Sequence, residues 1–396
     1  MSRSIVVALS GGVDSAVAAW LLCEAGHRVQ GLHMTNWEDD GYCDAARDFQ
    51  DARSVCLKLG IPLHRVNFSA EYREQVFAHF LEEHRRGRTP NPDVLCNREI
   101  KFGVMRRHAK RLGAELVATG HYARLVHASG DGGDETWLLK GRDAAKDQSY
   151  FLHAVAAADL ADACFPLGSL TKPEVRTLAR RAGLAVAAKK DSTGICFIGE
   201  RPFAEFLRTY LPDEPGLIRD ADGHVRGEHR GLAYYTLGQR QGIGIGGSAL
   251  ASGEPWYVAA KDEAANELIV VQGHDHPLLY RDRLRAEGMH WIGAPPSEWR
   301  DRRAFRCRAK IRYRQADQAC TVTRTAGDTI DVTFDSPQRT PTPGQYVVLY
   351  SGDRCLGGAT IAADADTRRA NAVPARGEPS ESHARAEPSS AAAISL

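Results

Sequence analysis

Ile5–Leu9 is an unbroken apolar run, largely β-branched, that feeds directly into Ser10-Gly11-Gly12-Val13-Asp14-Ser15 and then the alanine-rich stretch Ala16–Ala25. A continuous apolar run of this length predicts a strand buried on both faces, as in a parallel sheet. The stretch that follows predicts a helix stopped by Gly26. A chain that opens with strand, tight turn and helix is committed to α/β architecture, with ligands at the carboxyl ends of the strands. The turn has a chemistry of its own. Two glycines let backbone N–H groups converge, Ser10 and Ser15 add hydroxyls, and the helix N-terminus supplies roughly half a positive charge. Such a turn binds an anion. It has neither the lysine of a Walker A loop nor G-x-G-x-x-G dinucleotide spacing. A plain βα turn needs only a glycine and a cap, fewer constraints than these six consecutive residues meet.

Strand–helix alternation continues through Val29–His33, a helix over Asp44–Leu59, and strand candidates at Leu63–Asn67 and Leu116–Thr119. On the Asp44–Leu59 helix, Ala45, Phe49, Ala52, Cys56 and Leu59 share one face, so Cys56, like Cys23, is expected in the core. From about Gly216 the pattern changes to short alternating runs (Trp256–Ala259, Glu267–Val271, Thr329–Phe334, Gln345–Tyr350) punctuated by Gly and Pro, which predicts β-rich units. The expected division is a catalytic α/β domain over 1–206, a small β-rich domain over 207–274, a β-barrel over 275–361, and a disordered tail over 362–396. Gly242, Gly244, Gly246 and Gly247 lack a strand–turn–helix context and read as a turn or ordered loop.

Composition narrows the class further. Lys+Arg 51 against Asp+Glu 50 leaves a net charge of +1, so only local clusters can speak for a nucleic-acid partner. The apolar run at the N-terminus is too short for a signal peptide, and no stretch approaches the roughly 20 apolar residues of a membrane span. Nine scattered cysteines without a C-x-x-C pair argue against a zinc site and for reduced thiols in a cytoplasmic protein. No metal site is expected.

Two cysteines stand apart. Cys96 follows Thr89-Pro90-Asn91-Pro92, where the prolines forbid helix, so Asp93 and Cys96 fall at or near a helix start. From Leu81 to Arg111 there are nine Lys/Arg against four Asp/Glu, a basic setting that favours a thiolate. Cys196 lies in KKDSTGICFIGE, which reads as a loop apex beside cations. Either thiol alone could equally be buried and inert.

The loop SGGVDS resembles the signature of the PP-loop ATP pyrophosphatases, which cleave ATP between the α and β phosphates, adenylate a substrate oxygen and let a nucleophile displace AMP. Over about residues 3–360 the chain also resembles the MnmA (TrmU) family of tRNA-specific 2-thiouridylases, through SGGVDS, Asn36–Cys43, GRTPNPDVLCN, ATGHYAR, KDQSYFL, DSTGICFIGE, YTLGQRQGIGIGG, EPWYV and IRYRQ. The tail beyond about 362 departs from the family pattern. The resemblance implies thiolation at C2 of the wobble uridine in tRNAs for Lys, Glu and Gln. It implies ATP with Mg²⁺ at Ala8, Leu9, Ser10, Gly11, Gly12, Val13, Asp14 and Ser15, with Met34 and Gly120 at the adenosine. No tightly bound cofactor is expected. Sulfur would arrive as a persulfide on Cys196, supplied by a sulfur-relay protein descending from a cysteine desulfurase. Cys96 would then release hydrogen sulfide or resolve the intermediate, leaving a Cys96–Cys196 disulfide. Asn91, Pro92 and Asp93 would meet the target base, with Asp93 the natural general acid/base unless it is only a helix cap. Lys146, Asp147, Gln148, Arg312 and Tyr313 would contact tRNA.

The residues around Arg312 carry their own signal. From Phe305 to Arg314 apolar side chains alternate with Arg306, Arg308, Lys310, Arg312 and Arg314, which predicts a half-buried strand with five cations along its open side. Like charges in a row repel, so a phosphate track explains them better than a solvated face. Two other functions compete. An ammonia-dependent amidating synthetase shares the ATP chemistry but needs no paired cysteines, and no glutaminase half is evident. A non-catalytic RNA-binding protein would have no use for an intact SGGVDS loop. AMP formation that depends on added tRNA separates the three.

Overall fold

A computed structural model describes residues 2–37, 44–130, 133–191, 203–245, 253–301 and 303–363. The opening strand β1 (Ser4–Ala8) lies between β2 (Arg28–Thr35) and β4 (Leu116–Ala118), parallel to both, with β3 (Leu63–Asn67) outside β2. After β4 the chain makes a hairpin, β5 (Ala123–Gly130) and β6 (Gly133–Lys140), before the short β7 (Ala163–Cys164) completes the sheet order β3-β2-β1-β4-β7. Burial on both faces explains the unbroken apolar run of β1. Ile5, Val7 and Leu9 pack with Ala52 and Cys56, whereas Val6 lies in a second cluster with Leu32, Met34 and Ile100.

Helix α1 (Val13–Glu24) begins three residues earlier than the alanine run suggested and ends where Gly26 takes φ +78°, its N–H bonding to Cys23 O at 2.9 Å. Helix α2 (Asp44–Leu59) spans the expected range. Cys56 is buried, and burial pushes its thiol up to about 11, as befits a core residue. Two helical runs, 69–85 and 92–111, cover the other face of the sheet. Both contain π-wound stretches, Arg73–Phe77 and Cys96–Met105.

The later part of the chain is β, as its alternation implied. One sheet has the order β10-β11-β8-β9, built from β8 (Gly216–Asp220), β9 (Val225–His229), β10 (Trp256–Asp262) and β11 (Glu267–Gln272). A six-stranded antiparallel barrel follows: β12 (Tyr280–Trp291), β13 (Phe305–Lys310), β14 (Gln318–Arg324), β15 (Ile330–Arg339), β16 (Tyr346–Ser351) and β17 (Arg354–Ile361), closed by β12 against β17. Gly242 and Gly244 both take positive φ in a helix-free turn, while Gly246 and Gly247 lie outside the described residues.

The hairpin β5–β6 belongs to the first segment in sequence but pairs with the barrel, Cys355 opposite Leu138 and Arg354 opposite Leu139. It fixes the barrel beside the parallel sheet. The basic strand is shorter than its pattern suggested. β13 stops at Lys310, and Lys310 turns inward, where Asp147 lies 3.5 Å from its Nζ and the Tyr350 ring 5.3 Å away. Arg306 is held by Asp335 at 2.6 Å. The expected row of five outward cations is therefore broken: a carboxylate available inside outweighs period-two alternation at Lys310.

Candidate active site

β1 hands over to the phosphate loop while still in register, Leu9 N bonding to Leu32 O at 2.9 Å. Gly11 then takes φ +79°, and a Cβ there would lie 2.3 Å from Asp48 O, so only glycine fits. Ser15 Oγ accepts from Ser10 N and donates to Gly12 O, each at 3.2 Å, which fastens the turn across its base. Gly12 caps α1 without a side-chain hydrogen bond, and the acidic side chain of the first turn, Asp14, is taken up by Lys172 and Tyr122. Gly120, just beyond β4, presses on the loop: a Cβ there would lie 2.7 Å from Ser15 N. Met34 is buried near the carboxyl end of β2.

The cations a lysine-free turn lacks come from residues distant in sequence. Lys172 Nζ lies 2.7 Å from Asp14 Oδ1 and 2.7 Å from Asp191. Lys172 occupies the first turn of the helix Lys172–Arg181, which is fixed by a capping box between Thr171 and Glu174. Tyr122 donates to Asp14 at 2.8 Å, and burial, then the Asp14 charge, pushes its phenol pKa up. Lys146 at 2.6 Å and Arg176 at 2.9 Å also hold Asp191. Burial works against ionisation of Asp191, yet hydrogen bonds from Lys146 and Lys172 prevail and hold its pKa at about 2. Lys189 reaches Gly11 O at 3.1 Å, Asp48 at 2.7 Å and Asp51 at 2.5 Å. A mesh of Lys172, Lys189, Lys146 and Arg176 with Asp14, Asp48, Asp51 and Asp191 thus surrounds the loop.

Asp93 and Cys96 fall where the prolines placed them. The Asn91 side chain caps the helical run by accepting from Asp93 N at 3.1 Å, with Pro92 in its first turn. Cys96 begins the π-wound stretch, so it is helical and not in a loop, and it is fully buried in a cluster with Met34, Trp37 and Leu95. The basic setting is partly internal: Arg98 donates to Glu99 at 2.6 Å. Cys196 lies outside the described residues; Asp191, in the ion mesh, precedes that segment. The barrel braces the proline segment, with Thr89 N bonding to Pro343 O at 2.8 Å and Gln345 donating to Thr89 O at 2.6 Å.

The expected RNA contacts divide. Arg312 is exposed, though its guanidinium donates to Thr340 Oγ1 at 2.5 Å. Tyr313 packs on Phe151 at 4.4 Å and donates to Lys146 O at 3.2 Å. Gln148 accepts from Tyr122 N at 2.9 Å. Asp147 is buried, its carboxylate engaged by Gly141 N and Ser149 N, so it holds the loop together instead of presenting a surface group.

Comparison with known proteins decides the family. Residues 3–200 match a model described as a tRNA methyl transferase HUP domain, 204–272 a tRNA methyl transferase PRC-barrel domain, and 281–361 an aminomethyltransferase beta-barrel domain. A tRNA-specific 2-thiouridylase MnmA from Methylococcus capsulatus is 56% identical over 365 residues, 91% of this chain and 96% of that one. The protein of the same name from Pseudomonas syringae pv. syringae is 56% identical over 362 residues, 91% of this chain and 94% of its own. The chain belongs to the MnmA family of tRNA-specific 2-thiouridylases. A solved 4-thiouridine synthetase–RNA complex with bound ATP is 19% identical and covers 52% of this chain and 50% of its own, with a TM-score of 0.35.

For this MnmA-family chain, sequence reasoning missed Tyr122, Lys172, Lys189 and Asp191. Tyr122 and the Lys189–Asp191 triplet stand inside motifs that were visible, ATGHYAR and KKDSTGICFIGE, but nothing local shows them facing the loop. Lys172 gives no signal at all, because its role depends on where one helix docks.

Proposed function

We propose that this tRNA-uridine 2-sulfurtransferase uses ATP to adenylate O2 of the wobble uridine in tRNAs for Lys, Glu and Gln, and then replaces that oxygen with sulfur. O2 is a poor leaving group as an oxide and a good one as AMP. In the first step O2 attacks the α-phosphorus and pyrophosphate leaves. The Ala8–Ser15 loop and α1 hold the phosphates, Lys172 and Lys189 supply the cations, and Asp14 would offer a carboxylate oxygen to the Mg²⁺ that enters with ATP. In the second step the outer sulfur of a Cys196 persulfide attacks C2 and AMP leaves. Cys96 then attacks Cys196 Sγ, which frees the thiocarbonyl and leaves a Cys96–Cys196 disulfide; in the alternative order Cys96 attacks Cys196 Sγ first, forming the same disulfide, and the hydrogen sulfide released attacks C2 and displaces AMP. Asp93 moves the proton, and Asn91 and Pro92 frame the base. Lys146, Gln148, Arg312 and Tyr313 carry the RNA, with Asp147 supporting their loop. In this reading 1–206 performs the chemistry, and 207–274 and 275–361 hold the tRNA.

The observation that carries the reading is one shared cluster. Met34, near the carboxyl end of β2 and expected at the adenosine, and Cys96 lie together in one cluster on one face of the parallel sheet. Activated oxygen and attacking sulfur must meet at one carbon, and this face is where they can. Methyl transfer, the activity in two of the matching model descriptions, requires neither an ATP loop nor a second thiol. Mass analysis of nucleosides from tRNA incubated with the protein, ATP and a desulfurase-generated persulfide tests the reading. 2-Thiouridine, with AMP formed only when tRNA is present, is the expected result. Cys196→Ser should fail to load sulfur; Cys96→Ser should load it and not deliver it. Thiouridine formed by Cys196→Ser would overturn the assignment of roles.

A further inference from the structure

Beyond β2 the chain places Asn36 between Met34 and Trp37, at the carboxyl end of the parallel sheet. Asn36 is 1% exposed, and among the described residues neither its amide nitrogen nor its amide oxygen has a hydrogen-bond partner. The indole N–H of the next residue, Trp37, is buried without one as well. A primary amide brings two donors and two acceptor positions into the interior, and burying them unpaired forfeits the bonds they made with water. Folding alone would be better served by leucine, which has nearly the same shape and nothing to satisfy. Asn97, the other buried asparagine in the same half of the molecule, at least donates to Phe151 O at 3.3 Å.

Position says what the unpaired groups face. Side chains alternate along β2, so Leu32 and Met34 enter the cluster that contains Cys96, while His33 turns to the opposite side and bonds to Leu9 O at 2.8 Å. Asn36 lies one residue beyond the strand, flanked by Met34 and Trp37, both members of the cluster that contains Cys96. The Trp37 ring walls this side, edge-on to Tyr72 at 6.1 Å and to Phe77 at 4.7 Å. An apolar wall with one adjacent donor–acceptor pair is what recognises a flat heterocycle.

We propose that Asn36 reads the hydrogen-bonding edge of a nucleobase in the active site, its amide oxygen accepting from a ring or exocyclic N–H and its amide nitrogen donating to the neighbouring acceptor. The inference rests on the thiolation reading above. Uracil offers N3–H beside a carbonyl, and adenine offers N6–H beside N1; both present the same chemistry.

The test uses the full chain as wild type, Asn36→Leu and Asn36→Ala. Asn36→Leu removes the unpaired amide and keeps the volume, so its apparent Tm should rise by roughly 2–4 °C. Its kcat/KM for tRNA thiolation should nevertheless fall about 10- to 100-fold. Asn36→Ala should lose the same activity while its Tm falls, because it opens a cavity. Calorimetry with ATP alone separates the two bases. Weakened ATP binding assigns the adenine edge; unchanged ATP binding with a defective tRNA step assigns uracil. A wild-type kcat/KM in Asn36→Leu overturns the proposal, as does activity that simply tracks Tm across the two variants. Wild-type protein that makes no thiouridine would instead refute the underlying reading.

Discussion

In the proposed ATP site Lys172 is the central cation, and its removal can be worked through from the structure. Its Nζ touches Asp14 and Asp191 at 2.7 Å each, so it is the cation between two carboxylates no more than about 5.5 Å apart. Lys172→Met leaves those carboxylates facing each other at the loop that must accept triphosphate. With an effective dielectric near 20, each unit charge at about 5 Å is worth roughly 3 kcal/mol. Lys172 is 10% exposed, which limits the relief solvent can give, but Asp191 keeps Lys146 and Arg176. The net loss for a bound polyphosphate is therefore about 2–4 kcal/mol, a roughly 30- to 1000-fold rise in KM for ATP. Lys172→Arg should recover part of this, because charge returns with altered geometry. The measurement is tRNA-dependent pyrophosphate release at varied ATP, beside tRNA binding by filter retention, which should not change. A KM for ATP within a factor of three of wild type in Lys172→Met would refute the assignment of Lys172 as a phosphate ligand.

Arg312→Ala should weaken tRNA binding and reduce the slope of log K against log salt by roughly 0.7–0.9, one phosphate contact; an unchanged slope in filter binding rejects that contact. Lys310→Met strips the buried Asp147 carboxylate of its cation, although the N–H groups of Gly141 and Ser149 remain. It should cost about 2–4 kcal/mol by thermal or chemical unfolding, and Asp147→Asn in the same chain should recover part of the loss. Asp191 titrates near 2 in the folded state, below an unfolded carboxyl near 3.9, so its stabilisation is complete above about pH 5 and is lost as pH falls through 2. Asp191→Asn should flatten the acid limb of the unfolding curve between about pH 4 and 2 and leave the slope near neutrality untouched; an acid limb identical to wild type counts against the ion mesh.

What the sequence disclosed and what it hid follow from the range of the forces involved. The β1–loop–α1 unit was legible because it is local: burial on both faces demands a continuous apolar run, and Gly11 is required by a positive φ and by Asp48 O behind it. Helix α2 was legible because its apolar face repeats at the helical period. The fate of Lys310 was not. Its neighbours obey strand alternation, and only the β5–β6 hairpin, inserted some 170 residues earlier, brings Asp147 close enough to turn a surface cation inward. The segment just after that hairpin links the two halves of the proposed site. Tyr313, just beyond β13, donates to Lys146 O; Lys146 pairs with Asp191; Asp191 pairs with Lys172; and Lys172 pairs with Asp14 in the phosphate loop. Five residues from five separate stretches of sequence thus form one connected path from the expected RNA side to the expected nucleotide side. Motif reading named three of them, Asp14, Lys146 and Tyr313, because each stands in a recognisable run. The two that join them, Lys172 and Asp191, act through long-range pairing that leaves no periodicity behind, and so the connection becomes visible only once the helix Lys172–Arg181 is docked beside the sheet.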